Sequence, residues 1–117
     1  MENSPIRDQS FSFAIRIVKL YQYLCEEKRE FVMSRQLLRS GTAIGALVRE
    51  GQQAESKPDF IHKMGIAHKE AEESAYWIEL LAATAYLTEK ETTSLLADCQ
   101  ALCKMLASIR ITSRKNA

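Results

Sequence analysis

The sequence predicts an all-α protein, an antiparallel up-down-up-down four-helix bundle that forms a single domain over residues 1–117. Three observations lead to this prediction. Apolar residues recur every three or four positions through four long segments. Short polar stretches with helix start signals separate these segments, so consecutive helices should run antiparallel. Only four Gly and two Pro are present, which is too few for the many turns of an all-β domain.

The first two helices are predicted from their start signals and apolar spacing. Ser4 is a suitable N-cap with Pro5 at the first helical position, and the helix should run to about residue 27. A charged break follows, and the second helix is predicted over about residues 32–53. The predicted core positions are Phe13, Ile17, Leu20 and Leu24 in the first helix, and Leu37, Gly41, Ile44 and Val48 in the second.

Capping signals also open the third and fourth helices. Ser56 and Asp59 form a variant of the capping box, and Thr88 with Glu91 forms a full one. The third helix has the most regular apolar pattern of the chain. The predicted core positions are Phe60, Met64, Ala67, Ala71, Ser74, Ile78, Leu81 and Ala85 in the third helix, and Leu95, Cys99, Leu102, Leu106 and Ile109 in the fourth.

Two glycines stand four residues apart on the predicted buried face of the second helix. A glycine inside a helix costs about 1 kcal/mol relative to alanine, so a pair of them suggests close packing. Small residues also recur on the third helix, at Ala67, Ala71 and Ala75. We therefore expect the second and third helices to approach closely at Gly41 and Gly45.

The overall charge excludes little and favours no partner. Sixteen Lys and Arg against fifteen Asp and Glu give a net charge of +1. No apolar run approaches the roughly eighteen residues that would cross a membrane, so no membrane partner is expected. The first ten residues lack the pattern of a signal peptide. The odd set of Cys25, Cys99 and Cys103 fits reduced thiols, and we expect a cytoplasmic protein.

Residues capable of catalysis or metal binding form no complete set in the sequence. Asp59 and His62 have the spacing of a carboxylate and histidine pair in a di-iron bundle, but such a site needs two copies. Cys99 and Cys103 lie four apart on an apolar face, which favours core packing over a metal site. Cys25 has no base that the sequence identifies as its partner. We therefore predict no catalytic residue, no metal, no cofactor and no enzymatic activity.

A basic stripe on the second predicted helix is the sharpest candidate for a binding site. Arg35, Arg39 and Arg49 repeat on the face opposite the core positions, with Thr42 and Ala46 between them. Lysine and arginine stripes of this kind suit a phosphate backbone. The sequence therefore predicts RNA or DNA binding at these three arginines.

Glu70 and Glu73 on the third predicted helix offer the arginines another partner. Two nearby carboxylates can do acid and base work, but the sequence indicates no substrate pocket. A simpler interpretation is that they hold arginines of a neighbouring helix or subunit. Phosphate binding and ion pairing both stay open for the basic stripe.

Apolar residues exceed what one core face per helix needs. A bundle of this size cannot bury all of them, and large exposed apolar patches usually mark a partner surface. We therefore predict an oligomer interface, or, alternatively, an oligomeric scaffold that binds another protein. The predicted interface residues are Phe11, Ile15 and Val18 on the first helix, and Ile66, Trp77 and Leu80 on the third.

Residues 34–46 (SRQLLRSGTAIGA), 56–64, 66–71 and 76–81 carry a family resemblance. They resemble the signature of the small four-helix bundle proteins encoded in intervening sequences of bacterial large-subunit ribosomal RNA genes, a family once labelled ribosomal-protein-like. The resemblance spans nearly the whole chain. A relative of that family is the accessory variability determinant of diversity-generating retroelements, a pentameric barrel that binds nucleic acid and a reverse transcriptase. The resemblance implies a bacterial homopentamer that binds RNA or DNA, with a protein such as a reverse transcriptase as a further partner.

Overall fold

The computed structural model describes residues 4–116, which form four α-helices and confirm the predicted antiparallel bundle. The helices are α1 (Pro5–Glu26), α2 (Met33–Gln52), α3 (Lys57–Ala83) and α4 (Glu89–Lys115). The predicted bounds of α1 and α2 agree with these to within one residue. Residues 1–3 and 117 of the predicted domain lie outside the described residues. Among the described helices, none is long and apolar enough to cross a membrane.

Three of the four helices begin at the caps that the sequence predicted. The Ser4 hydroxyl accepts a hydrogen bond from the backbone N–H of Arg7 at 3.4 Å. The Ser56 hydroxyl does the same for Asp59 at 3.2 Å. At α4 the capping box is complete, because Thr88 accepts from the Glu91 N–H while the Glu91 carboxylate accepts from the Thr88 N–H. Each cap supplies a partner to an N–H that the helix itself leaves unpaired.

A buried carboxylate, which the sequence did not reveal, caps the start of α2. One oxygen of Glu30 accepts from the N–H groups of Val32 and Met33 at 3.0 Å each, and the other accepts from Ser34 at 2.7 Å. Burial by itself would raise the pKa of Glu30, but these backbone hydrogen bonds together hold that pKa below its usual value. An ionised carboxylate therefore compensates the positive N-terminal end of α2.

The four helices pack in sequence order around one core. α1 packs on α2, α2 on α3 and α3 on α4, while a thinner contact between α1 and α4 closes the bundle. As a result, α2 and α4 lie diagonally across it. The described part measures 47 × 23 × 20 Å. The buried apolar residues of the helices are Ile6, Phe13, Ile17, Leu24, Leu37, Ile44, Val48, Met64, Ala67, Ala71, Ile78, Leu81, Leu95, Cys99, Leu102 and Leu106.

The predicted core of α3 was wrong at its last position. α3 ends at Ala83, and Ala85 is an exposed residue of the following turn with a positive φ of 72°. The N–H of Ala85 bonds to the carbonyl of Ala82 and that of Tyr86 to Leu81, which is the Schellman ending of a helix. The apolar spacing alone gave no sign of the turn, because alanine usually favours helix continuation. Leu20, Phe60 and Ile109 were also placed in the core, and they are partly buried at its edge.

The two glycines of α2 face α1, and the prediction that they face α3 was wrong. A Cβ on Gly41 would lie 2.9 Å from Cγ1 of Ile17, and one on Gly45 would lie 3.4 Å from the Ser10 hydroxyl. Two buried serines contact each other between α2 and α3, since the Ser74 hydroxyl donates to the Ser40 hydroxyl at 2.9 Å. The glycine of α2 that faces α3 is the third one, Gly51, where a Cβ would meet the Met64 side chain. Helical spacing identified the buried face of α2 correctly, but it could not say which neighbour covers which edge of that face.

Candidate functional site

The three arginines of the predicted basic stripe are all exposed on the outer face of α2. The helical spacing that buries Leu37, Ile44 and Val48 places the arginines on the opposite side of α2, away from the core. Among the described residues, no ion-pair partner is found for Arg35 or Arg49. The positions agree with the predicted stripe, and its binding of phosphate stays a prediction.

Arg39 is held by the two carboxylates that the sequence offered as its alternative partners. Its guanidinium bonds to Glu70 at 3.2 Å and forms a second ion pair with Glu73. Glu73 also accepts the indole N–H of Trp77 at 3.0 Å. The hydrogen bond from Trp77 and those from Arg39 lower the pKa of Glu73, and the bond to Glu73 raises the pKa of Arg39. The charge of Arg39 is therefore compensated within the chain.

Arg49 of the basic stripe contacts Phe11, an exposed aromatic residue of α1. Its guanidinium carbon lies 4.9 Å from the ring centre of Phe11, which is the geometry of a cation–π contact. This contact connects the exposed face of α2 with the exposed face of α1.

The α1 stripe, defined as Phe11, Ile15 and Val18, is exposed as the sequence predicted. Their exposed fractions are 51%, 44% and 38%. The three side chains follow each other at spacings of four and three, so they form a row along one side of the helix. A row of large apolar side chains in water favours contact with another apolar surface. The structure thus provides a surface at which a partner could bind.

The predicted interface residues of α3 are less accessible than those of α1. Ile66, Trp77 and Leu80 are all partly buried, and Trp77 packs against the core. Tyr76, which the sequence analysis did not single out, is 56% exposed and contacts Trp77 edge to face at 5.0 Å. The tryptophan therefore serves folding at least in part, and the exposed aromatic group of this surface is the tyrosine.

An open groove between α3 and α4 is lined by His68 and Glu72, and Cys103 of α4 lies close to both. His68, Glu72 and Cys103 place their ligand atoms all within 4.8 Å of one another. Nε2 of His68 lies 3.6 Å from a carboxylate oxygen of Glu72, and Arg110 reaches Nδ1 of the same ring at 3.5 Å. His68 and Glu72 are four apart in the sequence, which was a usable signal, but Cys103 comes from another helix. His62 also lines the groove.

The two cysteines of α4 show no sign of activation as nucleophiles. Burial raises the pKa of Cys99 to about 12. Burial, together with the charge and hydrogen bonding of Glu72, raises the pKa of Cys103 to about 11. A nucleophilic cysteine needs a lowered pKa, so both remain thiols at neutral pH. Cys25 lies 3.9 Å from the Ser34 hydroxyl, at the junction of α1 and α2.

The fold and these surfaces define a small helical-bundle protein whose candidate sites are exposed helix faces and an open groove. The chain belongs to the 23S rRNA-intervening sequence protein family, whose sequence model matches residues 2–108. It is similar to the crystal structure of a protein of unknown function from the S23 ribosomal protein family of Bacteroides thetaiotaomicron. The two are 51% identical with a TM-score of 0.89, over 90% of this chain and 97% of that one. No curated protein matched the chain.

Proposed function

We propose that this protein is a non-enzymatic homo-oligomer, with a pentamer as the expected assembly, that binds the backbone of RNA or DNA through the outer face of α2. The observation that carries the proposal is the α1 stripe, a row of large apolar side chains exposed beside outward-facing arginines. Covering this row would remove apolar surface from water, and a second copy of the chain is always available to do so.

The arginines of one subunit are too few for useful affinity alone. Arg39 is paired with Glu70 and Glu73, whereas the described residues contain no ion-pair partner for Arg35 and Arg49. Assembly would repeat this pair around a symmetric surface, so that several phosphates are contacted at once. Binding should then be tight per oligomer, weak per subunit and strongly dependent on salt. The names of the matched family and of its Bacteroides relative refer to 23S rRNA and to a ribosomal protein family, which also supports association with RNA.

One observation favours a second candidate function. Arg39, at the centre of the basic stripe, is bound to two carboxylates, and exposed aromatic surface lies next to them at Tyr76. An oligomeric scaffold that binds a protein partner would use this apolar surface and would leave the arginines as ion pairs. The two functions differ in whether the protein binds nucleic acid at low salt.

The test is a titration of the full chain with single-stranded RNA and with duplex DNA at two salt concentrations. Replacing Arg35 and Arg49 together by glutamine should weaken binding and reduce its salt dependence. A matched control replaces Lys90 and Lys104, two exposed residues of the diagonally opposite α4, by glutamine. Both double variants lose the same charge, so a difference between them reports the position of the charges.

Equal weakening by the two double variants would show that the affinity reflects net charge, and it would refute the α2 site. No binding by the unmodified protein at low salt would favour the scaffold. Each variant must keep the molecular mass of the parent, because loss of the oligomer would weaken binding by itself.

A further inference from the structure

Three side chains at the groove between α3 and α4 are of the kinds that zinc-class metals prefer in proteins: His68 and Glu72 line the groove, and Cys103 lies beside them. His68 and Glu72 lie one helical turn apart on α3, so their side chains project from the same face. Cys103 approaches them from α4. Imidazole nitrogen, thiolate sulfur and carboxylate oxygen together favour Zn²⁺ and similar divalent transition metals over Mg²⁺ or Ca²⁺, which take oxygen ligands.

We propose that His68, Glu72 and Cys103 form a binding site for a divalent transition-metal ion of the zinc class, with a fourth position open to the groove. In a tetrahedral zinc site the bond lengths put neighbouring ligand atoms roughly 3.3–3.7 Å apart. Nε2 of His68 and the nearer oxygen of Glu72 already lie 3.6 Å apart. The whole set lies within 4.8 Å, so closure needs a shift of about 1 Å. Glu72 is exposed, so its carboxylate can turn toward a bound ion.

Access to the site and the charge of its ligands also suit an exchangeable ion. The groove has a volume of about 740 Å³ and opens to solvent, so a hydrated ion can enter and a water can fill the fourth position. On binding, the Cys103 S–H bond breaks, its proton leaves to solvent and the sulfur bonds to the metal. The bound site then contains a dication with one thiolate and one carboxylate, which balances the charge. Each ion bound should therefore release one proton from Cys103.

Arg110 is the residue that opposes metal binding. It is a cation beside the ligands and donates to Nδ1 of His68 at 3.5 Å. An imidazole that binds metal through Nε2 carries its proton on Nδ1, so the guanidinium must turn away. Gly65 has no side chain, and the guanidinium of Arg110 packs against this position. A Cβ built on Gly65 would lie 3.4 Å from Nη2 of Arg110. We infer that Arg110 weakens the site, and that Arg110→Met should tighten binding by about fivefold, the effect of removing one unit charge a few ångströms away in water.

The experiment is a titration of the tag-free, metal-free full chain with Co²⁺ under reducing conditions, followed by displacement with Zn²⁺. The expected result is one ion per chain, with the thiolate-to-cobalt absorption band and the visible bands of a tetrahedral ion. Cys103→Ala should abolish the thiolate band, and Glu72→Gln should weaken Zn²⁺ binding by at least about tenfold, since even outer partners of metal ligands contribute that much. Because Glu72 is exposed, its variant should fold normally.

Two matched controls separate this site from other possible ligands. Cys99→Ala removes the other thiol of α4, and His62→Ala removes the other histidine of the groove. Both should retain the thiolate band and the Zn²⁺ affinity of the unmodified protein. The proposal is overturned if the unmodified protein shows no thiolate band at stoichiometric Co²⁺, or if either control loses binding as completely as Cys103→Ala. Unchanged Zn²⁺ affinity in Glu72→Gln would remove the carboxylate from the ligand set and would equally overturn the site as proposed.

Discussion

The contact between α1 and α2 should respond differently to the same substitution at two glycines. Gly41 and Gly45 both lie inside α2, and both face α1. An added methyl group at Gly41 would lie 2.9 Å from Cγ1 and 3.0 Å from Cγ2 of Ile17, a fully buried side chain. At Gly45 the nearest atoms belong to Ser10 and lie at 3.4–3.5 Å, which is ordinary contact. Optimal carbon–carbon contacts lie at about 3.5–4.0 Å, so only the first position is overpacked.

The magnitudes follow from two opposing effects. Replacing glycine by alanine inside a helix stabilises it by about 0.8–1.0 kcal/mol at either position. Overpacking a well-packed core costs about 1–3 kcal/mol, and this penalty applies at Gly41. Gly45→Ala should therefore raise the free energy of unfolding by up to about 1 kcal/mol. Gly41→Ala should leave it unchanged or lower it by up to about 2 kcal/mol, so the two variants should differ by about 1–3 kcal/mol.

Urea unfolding followed by circular dichroism measures this difference directly. Each alanine variant is compared with the unmodified protein at one protein concentration, because assembly would also contribute to stability. A Gly41→Ala variant as stable as Gly45→Ala, or more stable, would refute the assignment of Gly41 to the tight contact with Ile17. A strong loss of stability in Gly45→Ala would show that Ser10 cannot accommodate a methyl group.

Three further predictions concern single residues of the fold. Glu30→Gln should lower the free energy of unfolding by about 1–3 kcal/mol at neutral pH, because hydrogen bonds to a buried charged acceptor are lost. Since the folded state lowers the pKa of Glu30, its stabilisation is complete above the usual glutamate pKa and is lost as the pH falls through the lower folded value. Urea titrations at neutral and acid pH should therefore show a smaller acid loss in Glu30→Gln than in the parent, and equal losses would contradict the cap. Ala85→Gly should raise stability by about 0.5–1 kcal/mol in thermal melting, because the turn after α3 has a positive φ that glycine adopts without strain. Arg39→Gln should cost no more than about 1 kcal/mol, since its ion pairs with Glu70 and Glu73 are at the surface. A larger loss in urea unfolding would show that this network holds α2 on α3.

Local signals predicted the fold well, because each element carries its own start signal and apolar face. The caps at Ser4, Ser56 and Thr88 and the buried positions of α2 all follow from residues close together in the chain. The local failures were the turn at Ala85, where alanine gave no sign that α3 ends, and the cap at Glu30. The other failure was a statement about neighbours across the bundle. The partner of Gly41 and Gly45 depends on how α1 rotates against α2, and spacing within one helix contains no information on that rotation.

The candidate sites show the same division between local pattern and spatial arrangement. The exposed arginines of α2 and the exposed row on α1 could be predicted, because each lies on one helix. The sequence named Glu70 and Glu73 as possible partners of the arginines, but only the structure shows that Arg39 takes both. The cluster of His68, Glu72 and Cys103 combines two residues of α3 with one of α4, and spacing within one helix cannot predict which residues of another helix lie beside it.

Nucleic-acid binding through α2 requires self-association through the α1 stripe, because one α2 face offers too few cations and an oligomer repeats them. The decisive measurement is the molecular mass of the full chain by light scattering at micromolar concentration, with Ile15→Glu as the interface variant. We expect a mass several times the 13.3 kDa of one chain, with fivefold as the expected ratio, and a lower mass with unchanged helicity for Ile15→Glu. A mass of 13.3 kDa for the unmodified protein, or an Ile15→Glu oligomer of unaltered mass, would contradict self-association through this stripe.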